Sequence, residues 1–365
     1  MAPSELQIEV IDPFKSESGL VPSLSPDLIK LEQYHPGFER VASKGTLCTL
    51  LLTSADSSNN PFFCNACAYV PERDELYITS DLLQPTSSSN LPVILISKVT
   101  ISRHHDRLEP VNGIREILQV GWMKLRPPSN MPMPNGAAHY RGGVVYCSQG
   151  TLDPASGGLW HMPAGKPPVP VVTGYLGRPF NSVRHVAVDA GGSLWFTDSR
   201  AGFEHGIRPR PQLPNHVYRF DPETRDLRVV ADGFGRPTGI ALDPDGGTLY
   251  VADAEAALPD GTMDFTRPAT IYAFDVVPTR GVPALINRRV FAYAREGAPA
   301  AVMCDTGGNV YAACADGVEV WSPAGMAMGR IRVPGGCSNM SFGQNDSELF
   351  ICAQQRLWRL LLNRR

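Results

Sequence analysis

The sequence predicts an all-β fold, a six-bladed β-propeller of four-stranded antiparallel blades in which residues 1–365 form one domain. Three observations predict it. The chain holds 34 Gly and 33 Pro, many of them between short apolar runs, which is the punctuation of short strands and tight turns. A short strand with an aromatic near its start recurs six times. A third strand follows each copy.

The copies are Glu75–Thr79, Val144–Ser148, Ser193–Thr197, Thr248–Ala252, Asn309–Ala313 and Glu348–Cys352. Three follow hairpin turns rich in Asp and Gly: Asp189-Ala190-Gly191-Gly192, Asp243-Pro244-Asp245-Gly246-Gly247 and Asp305-Thr306-Gly307-Gly308. The third strands include Val217–Phe220, Ile271–Phe274, Val318–Trp321 and Leu357–Leu360. The aromatics at 77, 146, 195, 250, 311 and 350 lie 69, 49, 55, 61 and 39 residues apart, a range that suits propeller blades with variable loops. Helical repeats would need a 3.6-residue period, which these runs lack. The last blade runs out of chain after its third strand, so an N-terminal strand, Gln7–Ile11 or Thr46–Leu52, is expected to close the ring.

Composition narrows the function. Net charge is −3, which offers no basic footprint for nucleic acid and no polybasic patch for a membrane surface. The first ten residues lack a basic region followed by an apolar core, and no stretch of 18 apolar residues occurs, so a cytoplasmic location is expected. Eight cysteines at 48, 64, 67, 147, 304, 314, 337 and 352 sit mostly in apolar runs and read as buried, reduced thiols. Cys64-Asn65-Ala66-Cys67 has the spacing of a redox or zinc pair but lacks a second pair or a thioredoxin-like context. No Gly-x-Ser-x-Gly and no phosphate-cradling loop is present.

Counting back 11 or 12 residues from each aromatic reaches Asn65, Asn135, Arg184, Thr238, Ala300 and Asn339. Each lies where the innermost strand of its blade begins, and in a propeller those starts converge on one mouth of the central channel. The repeat therefore nominates a ring of six site residues, in a place where small molecules commonly bind. The alternative is that they plug the channel. Long insertions at 81–92, 198–216 and 253–269 emerge on the same face. Their Phe203, Leu213, Leu258, Met263 and Phe265, with Met131, Met133 and Phe180 nearby, read as an apolar rim or as ordinary loop anchors.

The chain resembles the gluconolactonase family, also called the senescence marker protein family, and within it the fungal lactonohydrolases. The resemblance extends from about Phe62 onward. It rests on Ala68-Tyr69-Val70-Pro71, Met133-Pro134-Asn135-Gly136, Tyr140-Arg141-Gly142-Gly143, Phe180-Asn181-Ser182, Leu194-Trp195-Phe196-Thr197-Asp198, Pro214-Asn215-His216-Val217-Tyr218, Asp232-Gly233-Phe234-Gly235-Arg236-Pro237 and Asp316-Gly317-Val318-Glu319-Val320-Trp321. It implies a lactone hydrolase with one divalent metal at the channel mouth, held by a Glu, two Asn and an Asp. Those four ligands fall on Asn65, Arg184, Thr238 and Ala300, none of which matches. Asn135 and Asn339 keep the family pattern.

A hard cation wants several oxygen donors, carboxylates among them. Arg184 brings a fixed positive charge instead. The sequence is therefore expected to use no metal and no other cofactor. One reading is a metal-independent enzyme of secondary metabolism, an isomerase, cyclase (of Diels–Alder type, for example) or lyase, acting on a largely apolar small molecule. In it Arg184 polarises a substrate carbonyl, and His185 and His139 serve as acid or hydrogen-bond groups. Asn65, Asn135, Thr238, Ala300 and Asn339 line the substrate, with Asn181 and Phe180 beside them. The others are a hydrolase, either an atypical lactonase or one holding a metal through other groups such as Asn181, Asp253 or Asp305, and a non-catalytic binding propeller.

Overall fold

A computed structural model describes residues 3–11, 28–55, 60–83, 93–105 and 116–363. Part of the rim insertion at 81–92 lies outside the described residues. Six antiparallel sheets are arranged as a six-bladed propeller, each with four core strands running outward from the channel. Blade 1 is Ala66–Val70, Glu75–Thr79, Ile96–His105 and Glu116–Leu125. Blade 2 begins at Pro134–Tyr140, blade 3 at Val183–Val188, blade 4 at Pro237–Leu242, blade 5 at Ala301–Cys304 and blade 6 at Asn339–Phe342.

The recurring aromatic segment is the second strand of every blade. Neighbouring blades cover both of its faces, so Glu75–Thr79, Gly143–Ser148, Leu194–Asp198, Val310–Cys314 and Glu348–Ala353 are buried at every residue. This is why these segments read as continuous apolar runs, not as alternation. The turn aspartates explain the fixed distance to the aromatic. Asp189 accepts from Ser193 N–H at 2.8 Å and from Trp195 Nε1–H at 2.9 Å. Asp305 accepts from Gly307 and Asn309 N–H at 2.9 Å and from the Tyr311 hydroxyl at 2.9 Å. One carboxylate thus ties the hairpin and the aromatic head together. Gly192, Gly246 and Gly308 take φ of 82°, 70° and 77° there, a conformation that a Cβ disfavours.

Of the two candidate closing strands, Leu47–Thr53 closes the ring, pairing with Arg356–Leu361 of blade 6. The other, Ile8–Val10, lies in blade 5, parallel to Lys30–Gln33, which itself pairs with Ala327–Arg332. The amino-terminal segment therefore fastens two blades, because Ser4–Glu5 also pairs along Leu47–Thr53.

All eight cysteines are free, and all but the half-buried Cys304 are buried. Among the described residues no helix is long and apolar enough to cross a membrane.

Blade 5 also carries a buried acid, Glu319, which accepts from Arg295 N–H at 2.9 Å. Burial, reinforced by Asp316, pushes its pKa up to about 7. The folded chain keeps this proton while the unfolded chain loses it between pH ~4.5 and ~7, so the group's contribution to stability falls across that window and is flat above it. Glu319→Gln is expected to stabilise the fold at pH 8 by on the order of 1–3 kcal/mol and to change little at pH 4. Urea unfolding at the two pH values measures this, and equal effects at both would show that folding does not raise the Glu319 pKa.

Candidate functional site: the channel mouth

All six predicted ring residues stand within one residue of the start of an innermost strand. They divide into two groups. Asn65 donates through Nδ2 to Ser80 O at 3.0 Å. Asn339 donates to Asn65 O at 2.9 Å and accepts from Met340 N–H at 2.7 Å. Thr238 donates through Oγ1 to Pro299 O at 2.8 Å. Ala300 offers no side-chain donor, and its N–H bonds Ala313 O. The Asn339–Asn65 and Thr238–Pro299 bonds stitch blade to blade, and the other contacts each lie within one blade.

Asn135 and Arg184 form the second group. Asn135 is buried, and its Oδ1 has no hydrogen-bond partner among the described residues. Arg184 is half-buried, and its Nε has none either. Their backbones are pinned all the same. Thr79 Oγ1 donates to Asn135 O at 2.7 Å, and His185 N–H donates to Thr197 Oγ1 at 3.1 Å. The two strands touch at Gly136, where a Cβ would sit 2.3 Å from Arg184 O. Any side chain at 136 would push the Arg184 strand away.

Burial lowers the Arg184 pKa, Arg236 lowers it further, and Asp81 opposes both. The mouth therefore holds three ionisable groups that the repeat does not reveal. Asp81 follows the second strand of blade 1 on this face, with its N–H on Pro61 O. Arg236 precedes the blade 4 ring residue and pairs with Glu204 at 2.6 Å. His205 ends the short helix Ala201–Glu204. Burial lowers the His205 pKa, followed by Arg184 and Arg236, with Glu204 and Asp81 pulling the other way.

Buried acids at the ends of second strands aim these segments. Asp198 accepts from Asn181 and Ser182 N–H at 2.9 and 2.6 Å, and Asp253 accepts from Gly235 and Arg236 N–H at 2.9 and 2.8 Å. Arg208, 3 % exposed, donates to the carbonyls of Thr151, Asp153, Pro154, Phe180 and Asn181, riveting three loops into one wall. The sequence reading missed Arg208, which nothing in the sequence sets apart from Arg200 and Arg210 of the same insertion.

Other expected residues lie elsewhere. Phe180 is buried against Phe196 and Tyr218 at 5.4 and 5.2 Å between ring centroids, so it is core and not rim. Met131 is likewise fully buried. Phe203 and Phe265 are exposed on the mouth-face insertions. Asn181 donates to Leu213 O and Pro214 O. Asp253 and Asp305 are committed to backbone N–H groups, as described, and lie outside the ring. His139 and His185 line a cavity of about 420 Å³ in the central channel, which reaches from Asn339 to the turns at Asp189 and Asp243. His139 Nε2 is 3.2 Å from Glu72 Oε2. Burial and Arg184 push the His185 pKa down to about 3, so its imidazole is neutral at pH 7.

The metal implied by the resemblance can be tested on these donors. Its four positions carry two side chains bound to backbone carbonyls, one alanine and one guanidinium. Among the described residues no cluster of three His, Cys, Asp or Glu side chains could hold an ion. This donor set does not fit a divalent cation.

Residues 102–355 match the SMP-30/Gluconolactonase/LRE-like region. A lactonohydrolase of Aspergillus oryzae, oryL, is 30% identical over 213 residues, covering 55% of this chain and 46% of the relative. A gluconolactonase of Zymomonas mobilis is 30% identical over 199 residues, covering 52% and 53%. The chain thus spans about half the length of the curated relatives it matches. Among solved structures, a gluconolactonase from Xanthomonas campestris superposes with a TM-score of 0.67 at 24% identity, covering 91% of this chain and 94% of that one. A calcium-binding regucalcin from Agrobacterium tumefaciens superposes at 0.55 with 15% identity, covering 84% and 94%. At these identities the structures speak to the fold. With the propeller, the ring positions and a family match over most of its length, this chain belongs to the SMP-30/Gluconolactonase/LRE-like family.

Proposed function

We propose that the chain is a metal-independent enzyme that binds a largely apolar, carbonyl-bearing small molecule at the channel mouth and closes or isomerises a ring in it. The observation that carries this reading is Arg184, a guanidinium with an unpartnered Nε at a metal-ligand position of the family. A guanidinium aimed at a carbonyl oxygen stabilises the negative charge that develops there, as a Lewis acid would. A cyclisation of Diels–Alder type asks for little else, because it needs a folded pose and one polarised carbonyl. Among the described residues the site shows no activated side-chain nucleophile to favour acyl transfer. Burial raises the Cys147 thiol far above its usual range and Cys64 to about 12, and Thr238 Oγ1 is already bonded.

Lactone hydrolysis is the second reading. The relatives' names support it, and so does the presence of Asp81 and His205 near Arg184, a carboxylate and an imidazole able to activate water. A pH-stat assay with an aldonolactone and with pantolactone separates the two. Slow turnover, unchanged by added calcium, magnesium, manganese or zinc, is expected. Rapid metal-stimulated hydrolysis would overturn the proposal, and rapid metal-free hydrolysis lost in Asp81→Asn would establish the second reading.

A further inference from the structure

Of the six ring positions, only Asn135 and Arg184 combine a pinned backbone with a polar side chain that has no work inside the fold. Thr79 and the Thr197 hydroxyl fix the two backbones, and Gly136 lets the strands touch. Neither side chain makes a hydrogen bond or ion pair among the described residues. An unsatisfied buried amide oxygen costs roughly 1–3 kcal/mol, so its retention needs an explanation. The two idle groups are complementary in kind: Arg184 can only donate, and the orphaned Asn135 Oδ1 can only accept.

We infer that the substrate carries a carbonyl and a hydroxyl on adjacent carbons, with the carbonyl oxygen accepting from Arg184 and the hydroxyl donating to Asn135. This rests on the proposed role of Arg184 and adds the second contact. The amide must turn toward the channel to meet the hydroxyl, and it has no hydrogen bond to lose in doing so. Phe203 and Phe265, exposed on the same face, suit an apolar body behind this polar pair.

Three small probes test it by ligand-observed NMR titration: 2-hydroxyacetophenone, acetophenone, which lacks the hydroxyl, and 2-phenylethanol, which lacks the carbonyl. The hydroxyketone is expected to bind about tenfold more tightly than either. Arg184→Met should reduce its affinity to that of 2-phenylethanol, and Asn135→Leu to that of acetophenone. Should Asn135→Leu fail to fold, the side-chain amide signal of Asn135 in the wild-type protein replaces it. That signal should shift with the hydroxyketone and stay still with acetophenone. Equal binding of the two ketones, both weakened by Arg184→Met, overturns this inference and leaves the carbonyl contact standing. No binding of any probe, or binding indifferent to Arg184→Met, overturns both.

Discussion

Arg184→Met is expected to lower turnover of the native substrate by 10²- to 10³-fold, the usual loss when one preorganised donor to a developing oxyanion is removed. The same substitution should leave thermal stability unchanged or higher, because it deletes a cation that burial and Arg236 both disfavour and that no described side chain pairs. Arg184→Lys should restore little, since an ammonium lacks the planar fork of the guanidinium. Steady-state kinetics beside a melting curve measures both effects. A variant with near-normal kcat and KM would make Arg184 a channel plug. One that melts much earlier would mean that the guanidinium is structural.

Arg330→Met should have the largest effect on stability. Arg330 is 1 % exposed and bonds Glu32, with further contacts to Asp316 at 2.5 Å and Glu296 at 3.2 Å. Glu32 lies on the amino-terminal strand Lys30–Gln33, so this network fastens that strand to blade 5. Removing the cation leaves Glu32 and Asp316 as buried, poorly compensated charges, at a cost of about 3–5 kcal/mol. The midpoint of guanidinium unfolding should fall accordingly, and protease should cut near the amino terminus first. Replacing Glu32 by Leu in the same chain should recover part of the loss, because an apolar pair avoids the stranded carboxylate. An unchanged midpoint would mean that water reaches the network.

The blades were legible in the sequence because one physical constraint repeats six times. The second strand is covered on both faces, and in two blades a turn carboxylate also holds its aromatic head, Asp189 on Trp195 and Asp305 on Tyr311. The ring was legible because strand length fixes the distance from that aromatic back to the channel mouth. What escaped comes from insertions with no repeat. Asp81, His205 and Arg236 reach the mouth from loops and loop ends, and Arg208 acts through carbonyls that carry no sequence signal. Phe180 misled because a motif aromatic beside a ring position can equally pack inward, as it does on Phe196 and Tyr218. The division of the ring into bonded and idle side chains depends on backbone carbonyls from neighbouring blades, such as Pro299 for Thr238. His185 was placed correctly on its strand, but only the surrounding burial shows that it stays neutral.

The central claim is that a guanidinium has taken the place of a metal in this ring. Elemental analysis of the purified protein after mild dialysis tests it most directly. The account predicts no stoichiometric divalent metal, whichever of calcium, magnesium, manganese or zinc is supplied beforehand. One tightly held ion per chain, lost when Asn135 or Asn339 is replaced by Ala, would contradict it.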